Sequence, residues 1–506
     1  MEELKGDYVI SRRYIVIKIQ LLKEPELYFD QDRKCLDPQV GLLNFGPHGG
    51  VNTGKKDKRK ISIHAGIIGT GRSIDTVNTF LSRLTHRISA SEARSSDYKG
   101  IDFPGLGLEG PLGFEILVDQ NCVLKITREF VRELSNKVDR KDRIRAVVAE
   151  YCRLFDVMAE AYPRPDIILL PLDDEMLALC KDPRYLTHKI VYQNRDFGDP
   201  ESAFAPMFDF HDHIKAQAAH PKRNFVTQFI SPKSLVFSED RQSAAFIAWN
   251  FSVGTFYKAT GTPWKLADIN ENTCFIGISF YREIVQDYKS VRASIAQVYL
   301  RTGESQVITG RPFEWDQRDK GKVVQLTASQ MTAVVKDSIK IYCDQRKKKP
   351  ERLVVHKSTH FTDEELMGCI EASNGIDEVD IVHISEYTGF RAYHNKHDFP
   401  VVRGTLISSE HKPNESMLFT SGFVPALGTY PGATAPSPLH IQCPRMDSSM
   451  ETICGDILGL SKLDWNSSAF YTKLPVTISV SKKVGDILAE MVLAGITPPN
   501  SYRCYM

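Results

Sequence analysis

Six side chains define the chemistry open to this chain. Two are serines in strand-like runs: Ser279 in Thr273-Cys-Phe-Ile-Gly-Ile-Ser-Phe-Tyr-Arg282, and Ser358 in Arg352-Leu-Val-Val-His-Lys-Ser-Thr-His-Phe361. The other four are His211, Lys215, Gln228 and Lys258. Each serine run passes from apolar to polar residues and reads as a core strand ending at a reactive edge. Metal-assisted phosphodiester cleavage relies on carboxylates, which hold the ions that activate water and stabilise the leaving oxygen. A serine hydroxyl carries no charge and is a poor ligand for a hard cation, so neither run offers a strong metal ligand at its edge. His211 and Lys215 lie four apart, which puts both on one face of a helix. With the Gln228 amide and the Lys258 ammonium they supply enough donors to wrap one terminal phosphate. The spacing alone favours the plainer arrangement, with His211 capping a helix end, Lys215 solvated on a surface and Gln228 bonded to strand backbone.

These residues must be positioned by more than one core. A chain of 506 residues is long enough for two or three domains. Its apolar, charged and aromatic shares of 42%, 25% and 10% are those of a globular protein. Apolar runs such as Asp166-Ile-Ile-Leu-Leu-Pro-Leu172 are too short to span a bilayer. Met1-Glu-Glu-Leu-Lys-Gly-Asp7 lacks the order of a signal peptide. The ten cysteines are scattered singly, which predicts a reducing, cytoplasmic setting without disulfides or a zinc knuckle. A net charge of +1 argues against a purely electrostatic nucleic-acid binder, so basic residues would have to concentrate in a channel. The basic runs Lys55–Lys60 and Arg346–Lys349 read as solvated loops.

Strand and helix alternate throughout, an α/β signature. Lys60–Gly66 reads as a short strand, followed by a glycine turn and a helix over 73–87. Apolar residues at helical spacing predict two helices across 125–162, through Val131, Leu134 and Val138, then Val147, Val148, Tyr151, Leu154, Phe155 and Met158. Residues 166–172 read as a buried strand, Lys258–Lys265 as a turn-rich junction, and strands over 275–280 and 291–301 open a second unit. Gly66-Ile-Ile-Gly-Thr-Gly-Arg-Ser73 has the context of a phosphate loop, but it lacks the Gly-Lys-Ser/Thr of a P-loop and the spacing of a dinucleotide fingerprint. It reads as a strand-to-helix turn with Ser73 as N-cap.

The series His211-x-x-x-Lys215, then Gln228, then Lys258 before a glycine turn resembles the pocket of Argonaute MID domains that grips the 5′-phosphate of a guide strand. Glu24-Pro-Glu-Leu-Tyr-Phe29, Gly41-Leu-Leu-Asn-Phe-Gly-Pro47, Pro400-Val-Val-Arg-Gly-Thr405 and Leu474-Pro-Val-Thr477 resemble other parts of that family. The resemblance covers nearly the whole chain. It implies a Rossmann-like MID domain over 38–268 after an N-terminal segment, 1–37, and an RNase H-like Piwi domain over 269–506. N and PAZ domains are not expected. Ser279 and Ser358 then match the first two aspartates of the Piwi metal site. Glu304 or Glu314 is the remnant of its mobile glutamate, and Ser479-Val-Ser-Lys482 carries no acid or histidine at the last ligand position.

The chain therefore resembles a short prokaryotic Argonaute with an inactive nuclease site. That resemblance implies a short 5′-phosphorylated guide, RNA by preference, pairing with single-stranded target DNA, so that base pairing reads the target. It implies a separate APAZ protein as effector partner, forming a heterodimer and a higher oligomer on activation. A TIR domain that consumes NAD is favoured over a sirtuin-like or nuclease effector. It also implies magnesium in the guide pocket, held by Gln228 and the carboxylate of Met506. Two rival readings are an active nuclease using Asp363, Glu364, Glu365 or Asp380, and a nucleotide-binding enzyme using Gly66–Ser73.

Overall fold

A computed structural model describes residues 17–48, 60–90, 100–180, 210–231, 243–270, 272–282, 290–299, 305–309, 312–314, 324–386, 389–393, 400–430, 432 and 434–506, a few of them by backbone only. The architecture is mixed α/β, with three sheets among the described residues. The first unit is built on four parallel strands, β4 (Ile61–Thr70), β5 (Phe114–Ile126), β6 (Ile167–Pro171) and β7 (Thr227–Ile230), in the order β5-β4-β6-β7. All five residues of β6 are buried, as expected for a strand covered on both faces.

Helices lie on both sides of this sheet. On one side α2 (Gly71–Leu84) packs its Ile74, Val77, Phe80 and Leu84 into a core shared with α7 (Ala244–Ala259). On the other, α3 (Arg128–Ser135), α4 (Arg140–Ala159), α5 (Asp174–Cys180) and α6 (Phe210–Ala218) close a second core around Tyr151, Phe155 and Phe210. The two helices expected across 125–162 are α3 and α4, but Val138 lies between them and is 95% exposed. Its helical spacing is accidental.

The glycine turn expected after residue 66 does not form. β4 runs on through Gly66-Ile-Ile-Gly-Thr70, because β6 pairs with it as far as Ile67 and β5 through Thr70. Thr70, not Ser73, is the N-cap of α2: its hydroxyl accepts from the Ser73 N–H, while the Ser73 hydroxyl donates to the Thr70 carbonyl.

The second unit holds a ten-stranded sheet in the order β1-β15-β16-β17-β14-β13-β9-β10-β11, with β12 also paired to β10. Its centre is β9 (Thr273–Arg282), β13 (Arg352–Lys357) and β14 (Glu378–Ser385), mutually parallel. Antiparallel β10 (Ser290–Tyr299), β11 (Ser305–Thr309) and β12 (Pro312–Glu314) extend one side. β17 (Leu439–Arg445), β16 (Lys412–Leu418) and β15 (Thr405–Ser409) extend the other. The edge strand β1 (Ile17–Leu21) comes from the N-terminal segment. Helices α8 (Ala328–Arg346) and α9 (Asp363–Ala372) cover one face, with α10 (Met450–Leu460) and α11 (Val476–Leu493) completing the unit.

Residues on either side of the first unit meet in a small sheet of β2 (Leu27–Tyr28), β3 (Lys34–Cys35) and β8 (Lys265–Leu266). The α11 helix enters the sheet at one point of close approach. A Cβ on Gly277 would lie 2.0 Å from the Thr477 carbonyl oxygen, so only glycine lets the helix start there. Gly277→Ala is expected to lose about 1–3 kcal/mol in denaturant unfolding through overpacking. Gly71→Ala, at a helix position with nothing within 4 Å, should leave stability unchanged or slightly raised.

Candidate functional site

Three elements of the first unit carry the residues read as a phosphate pocket, and two of these residues, Gln228 and Lys258, are in direct contact. Lys258 sits in the last turn of α7, inside the helix rather than in a junction loop, and is only 3% exposed. Its ammonium donates to Gln228 Oε1 at 2.6 Å and to the Thr227 carbonyl at 3.3 Å. Gln228 lies on β7, and its amide nitrogen donates to the Phe229 carbonyl at 2.9 Å. The His211 ring stacks on Phe229 with centroids 4.3 Å apart, and its Nδ1 lies 2.8 Å from Asp212 Oδ1. Lys215, one turn along α6, is 6% exposed and not a solvated surface lysine. Burying an ammonium is tolerated only where oxygens meet it, and that cost marks Lys215 and Lys258 as placed rather than incidental.

One residue of this region was not legible in the sequence. His213 Nδ1 meets Glu490 Oε2 of α11 at 2.8 Å, tying the pocket helix to the second unit. The partners are 277 positions apart, so no spacing signal exists.

The implied magnesium site does not fit the side chains as placed. Gln228 Oε1 is already engaged by the Lys258 ammonium, and a divalent ion on that oxygen would meet a like charge at close range. Met506 is buried at the end of a short 3₁₀ turn, Tyr502–Tyr505, that packs on α7 through Tyr257 and Tyr502 and through Arg503 donating to the Thr260 carbonyl at 3.2 Å.

The two serines of the second unit are neighbours. β9 and β13 pair in parallel up to Ile278 and Lys357, so Ser279 and Ser358 are the next residue on each chain. Gly277 and Ser279 share a face of β9, and that face meets the first turn of α11, where Thr477 and then Ser479 lie. The Oγ atoms of Ser279 and Ser479 are shielded from solvent and have no hydrogen-bond partner. His356 Nδ1 is 2.8 Å from Thr477 Oγ1, and burial, aided by the nearby Arg352 charge, pushes its imidazole down to about 3, so it is neutral. Glu304, and the side chains of Glu314 and Lys482, lie outside the described residues.

The acids named for a rival nuclease site are dispersed. Glu365 is fully buried against Lys357, with oxygens 2.5 and 2.6 Å from Nζ, and also completes the capping box of α9. Asp380 pairs with Arg352 at 2.8 Å and accepts from the Asp447 and Ser448 N–H groups. Arg352 also holds Asp456, whose carboxyl burial pushes up to about 6 against the pull of that guanidinium. Asp363 and Glu364 are exposed in the first turn of α9. No three His, Cys, Asp or Glu side chains gather as a metal cage among the described residues.

No family model and no curated protein matches the chain. Solved structures do match it. Clostridium butyricum Argonaute, bound to a guide DNA and a 19-mer target DNA, superposes with a TM-score of 0.62 at 14% identity, covering 96% of this chain and 54% of that one. The fold is an Argonaute fold. Marinitoga piezophila Argonaute, in complex with a 5′-hydroxyl guide RNA, matches with a TM-score of 0.54 at 11% identity over 92% of this chain and 57% of its own. A. aeolicus Argonaute matches with a TM-score of 0.52 at 15% identity, over 95% of this chain and 54% of its own. The chain thus spans just over half the length of the Argonautes it matches.

The ion pair of Glu365 gives a direct test of its role. Glu365→Gln strands the buried Lys357 ammonium and is expected to cost about 3–5 kcal/mol in equilibrium unfolding. A metal ligand would instead lose metal affinity with its stability intact.

Proposed function

We propose that this chain is the guide-holding, target-recognising part of an Argonaute-type complex and that it does not cut its target. The observation that carries this is the direct bond between Gln228 and the buried Lys258. The resemblance in sequence assigns these same residues, with Lys215, to a guide 5′-phosphate. In that role the ammonium groups of Lys215 and Lys258 neutralise the phosphate oxygens, and Gln228 and His211 orient them. The guide, RNA by preference, then presents its bases to single-stranded DNA, and complementarity selects the target. The structures matched in fold hold a guide DNA with its target DNA and a guide RNA, respectively, which supports this division of labour.

The absence of cleavage rests on Ser279 and Ser358, two hydroxyls at the strand positions where the resemblance implies carboxylates, and on the structural engagement of Glu365 and Asp380. In this reading the output belongs to a separate APAZ-type chain, of the kind carrying an NAD-consuming TIR domain, as short prokaryotic Argonautes use. Target pairing would drive that complex to its active, higher-order state. Magnesium takes no part in the phosphate contact, which the cations of the chain make themselves.

A second reading is favoured by one observation: the Marinitoga piezophila protein holds a guide with a 5′ hydroxyl. Affinity for matched guides separates the two. Guides with a 5′-phosphate should bind about ten- to a hundredfold more tightly than 5′-hydroxyl guides, given roughly 1.5–3 kcal/mol for a charge-assisted contact. Lys215→Ala should remove that difference. Equal affinity of the unmodified chain for both guide types would contradict the pocket assignment.

A further inference from the structure

A second concavity lies where α2 and α3 begin. The Thr70↔Ile126 register sets the ends of β4 and β5 side by side, so the helices that follow them start together. Between them opens a cavity of about 610 Å³, walled by Arg72 and Arg83 of α2 and Arg128 of α3. All three arginines are exposed. β6 separates this site from Gln228 in the sheet order β5-β4-β6-β7, so it is not an extension of the guide pocket.

The lining determines the ligand chemistry. Arg72, Thr76, Thr79 and Arg83 are spaced as one stripe along a helix, and eleven residues at about 1.5 Å each separate the outer two by roughly 16 Å. The Thr76 and Thr79 hydroxyls donate to the Arg72 and Asp75 carbonyls at 2.8 and 3.0 Å, which leaves donation to a ligand to the guanidinium groups. Asp75 is the one acid in the wall, against three arginines. Phe80 is 2% exposed and forms the floor, so it offers no free ring face on which a base could stack. Guanidinium forks match phosphate oxygens. A nucleic-acid strand stacked in helical form advances about 3.4 Å per nucleotide along its axis, so the stripe covers roughly five steps of such a strand and fewer of an extended one. The first-turn N–H groups of α2 and α3 add a smaller positive contribution.

We propose that this cavity is a second, sequence-independent site for the phosphodiester backbone of a nucleic-acid strand passing outside the guide pocket. The inference shares with the proposed function only the class of ligand. A labelled single strand longer than a guide and ending in a 5′ hydroxyl is titrated onto the full chain over a range of salt, with and without saturating unlabelled guide. In the triple variant Arg72→Gln, Arg83→Gln, Arg128→Gln, affinity at low salt should fall at least about tenfold. The slope of log affinity against log salt should drop by about 2, at roughly 0.7 per lost phosphate contact. The melting temperature and the preference for 5′-phosphorylated guides should be unchanged. An unchanged affinity and slope would overturn the proposal, and so would displacement of the strand by equimolar tripolyphosphate, which would mark a site for a small polyphosphate. If the 5′-phosphate preference itself is missing while the triple variant still lowers the slope, the guide pocket fails and this site stands.

Discussion

Burying a positive charge is costly unless oxygens surround it, and six lysines and arginines are buried among the described residues: Lys215, Lys258, Arg352, Lys357, Arg403 and Lys462. The arrangement of the molecule follows from how these are met. Glu24 receives both Arg403, at 3.0 Å, and Lys462, at 3.0 Å, and Lys462 also donates to the Pro25 and Leu36 carbonyls. Burial alone would raise the Glu24 carboxyl, but the two cations outweigh it and hold it low. That knot fastens the N-terminal segment across the second unit, and Trp264, donating to the Lys462 carbonyl at 2.8 Å, adds the junction that follows α7. Arg352 ties β13 to β14 and α10 through Asp380 and Asp456, and Lys357 ties the end of β13 to α9 through Glu365. Lys258, met by Gln228 and the Thr227 carbonyl, belongs to the same pattern but lies where a guide end is proposed to sit.

One helix then relates the two sites. α11 begins against Gly277, beside the serine pair, and near its other end Glu490 meets His213 on the helix that carries His211 and Lys215. The pocket proposed for the guide terminus and the strand ends carrying Ser279 and Ser358 therefore lie against the same helix. Within this unit Glu365, Asp380 and Asp456 serve as counter-ions to the buried Lys357 and Arg352.

Much of this was legible in the sequence because it is local. The core strands around Ser279 and Ser358 and the buried run 166–172 follow from apolar patterning, and the adjacency of the two serines follows from parallel pairing of the strands that carry them. The segments Glu24–Phe29 and Pro400–Thr405, far apart in the chain, are joined by the Glu24–Arg403 pair. Patterning misled where tertiary context decided the outcome. Val138 kept a helical spacing but fell between helices, and the run after residue 65 continued a strand because β5 pairs with it through Thr70. Lys258 looked like a turn residue because Gly261 follows closely, yet α7 runs through it and buries it. The partner of His213 was invisible because it is set by packing between distant elements.

The central claim is recognition by complementarity without cleavage. Its most direct measurement follows a labelled single-stranded DNA mixed with the chain, a 5′-phosphorylated guide RNA and Mn²⁺, scoring retention and strand integrity in the same sample. The account predicts retention only with a complementary guide and a target that stays intact. A cut at a defined position opposite the guide, or retention regardless of complementarity, would contradict it.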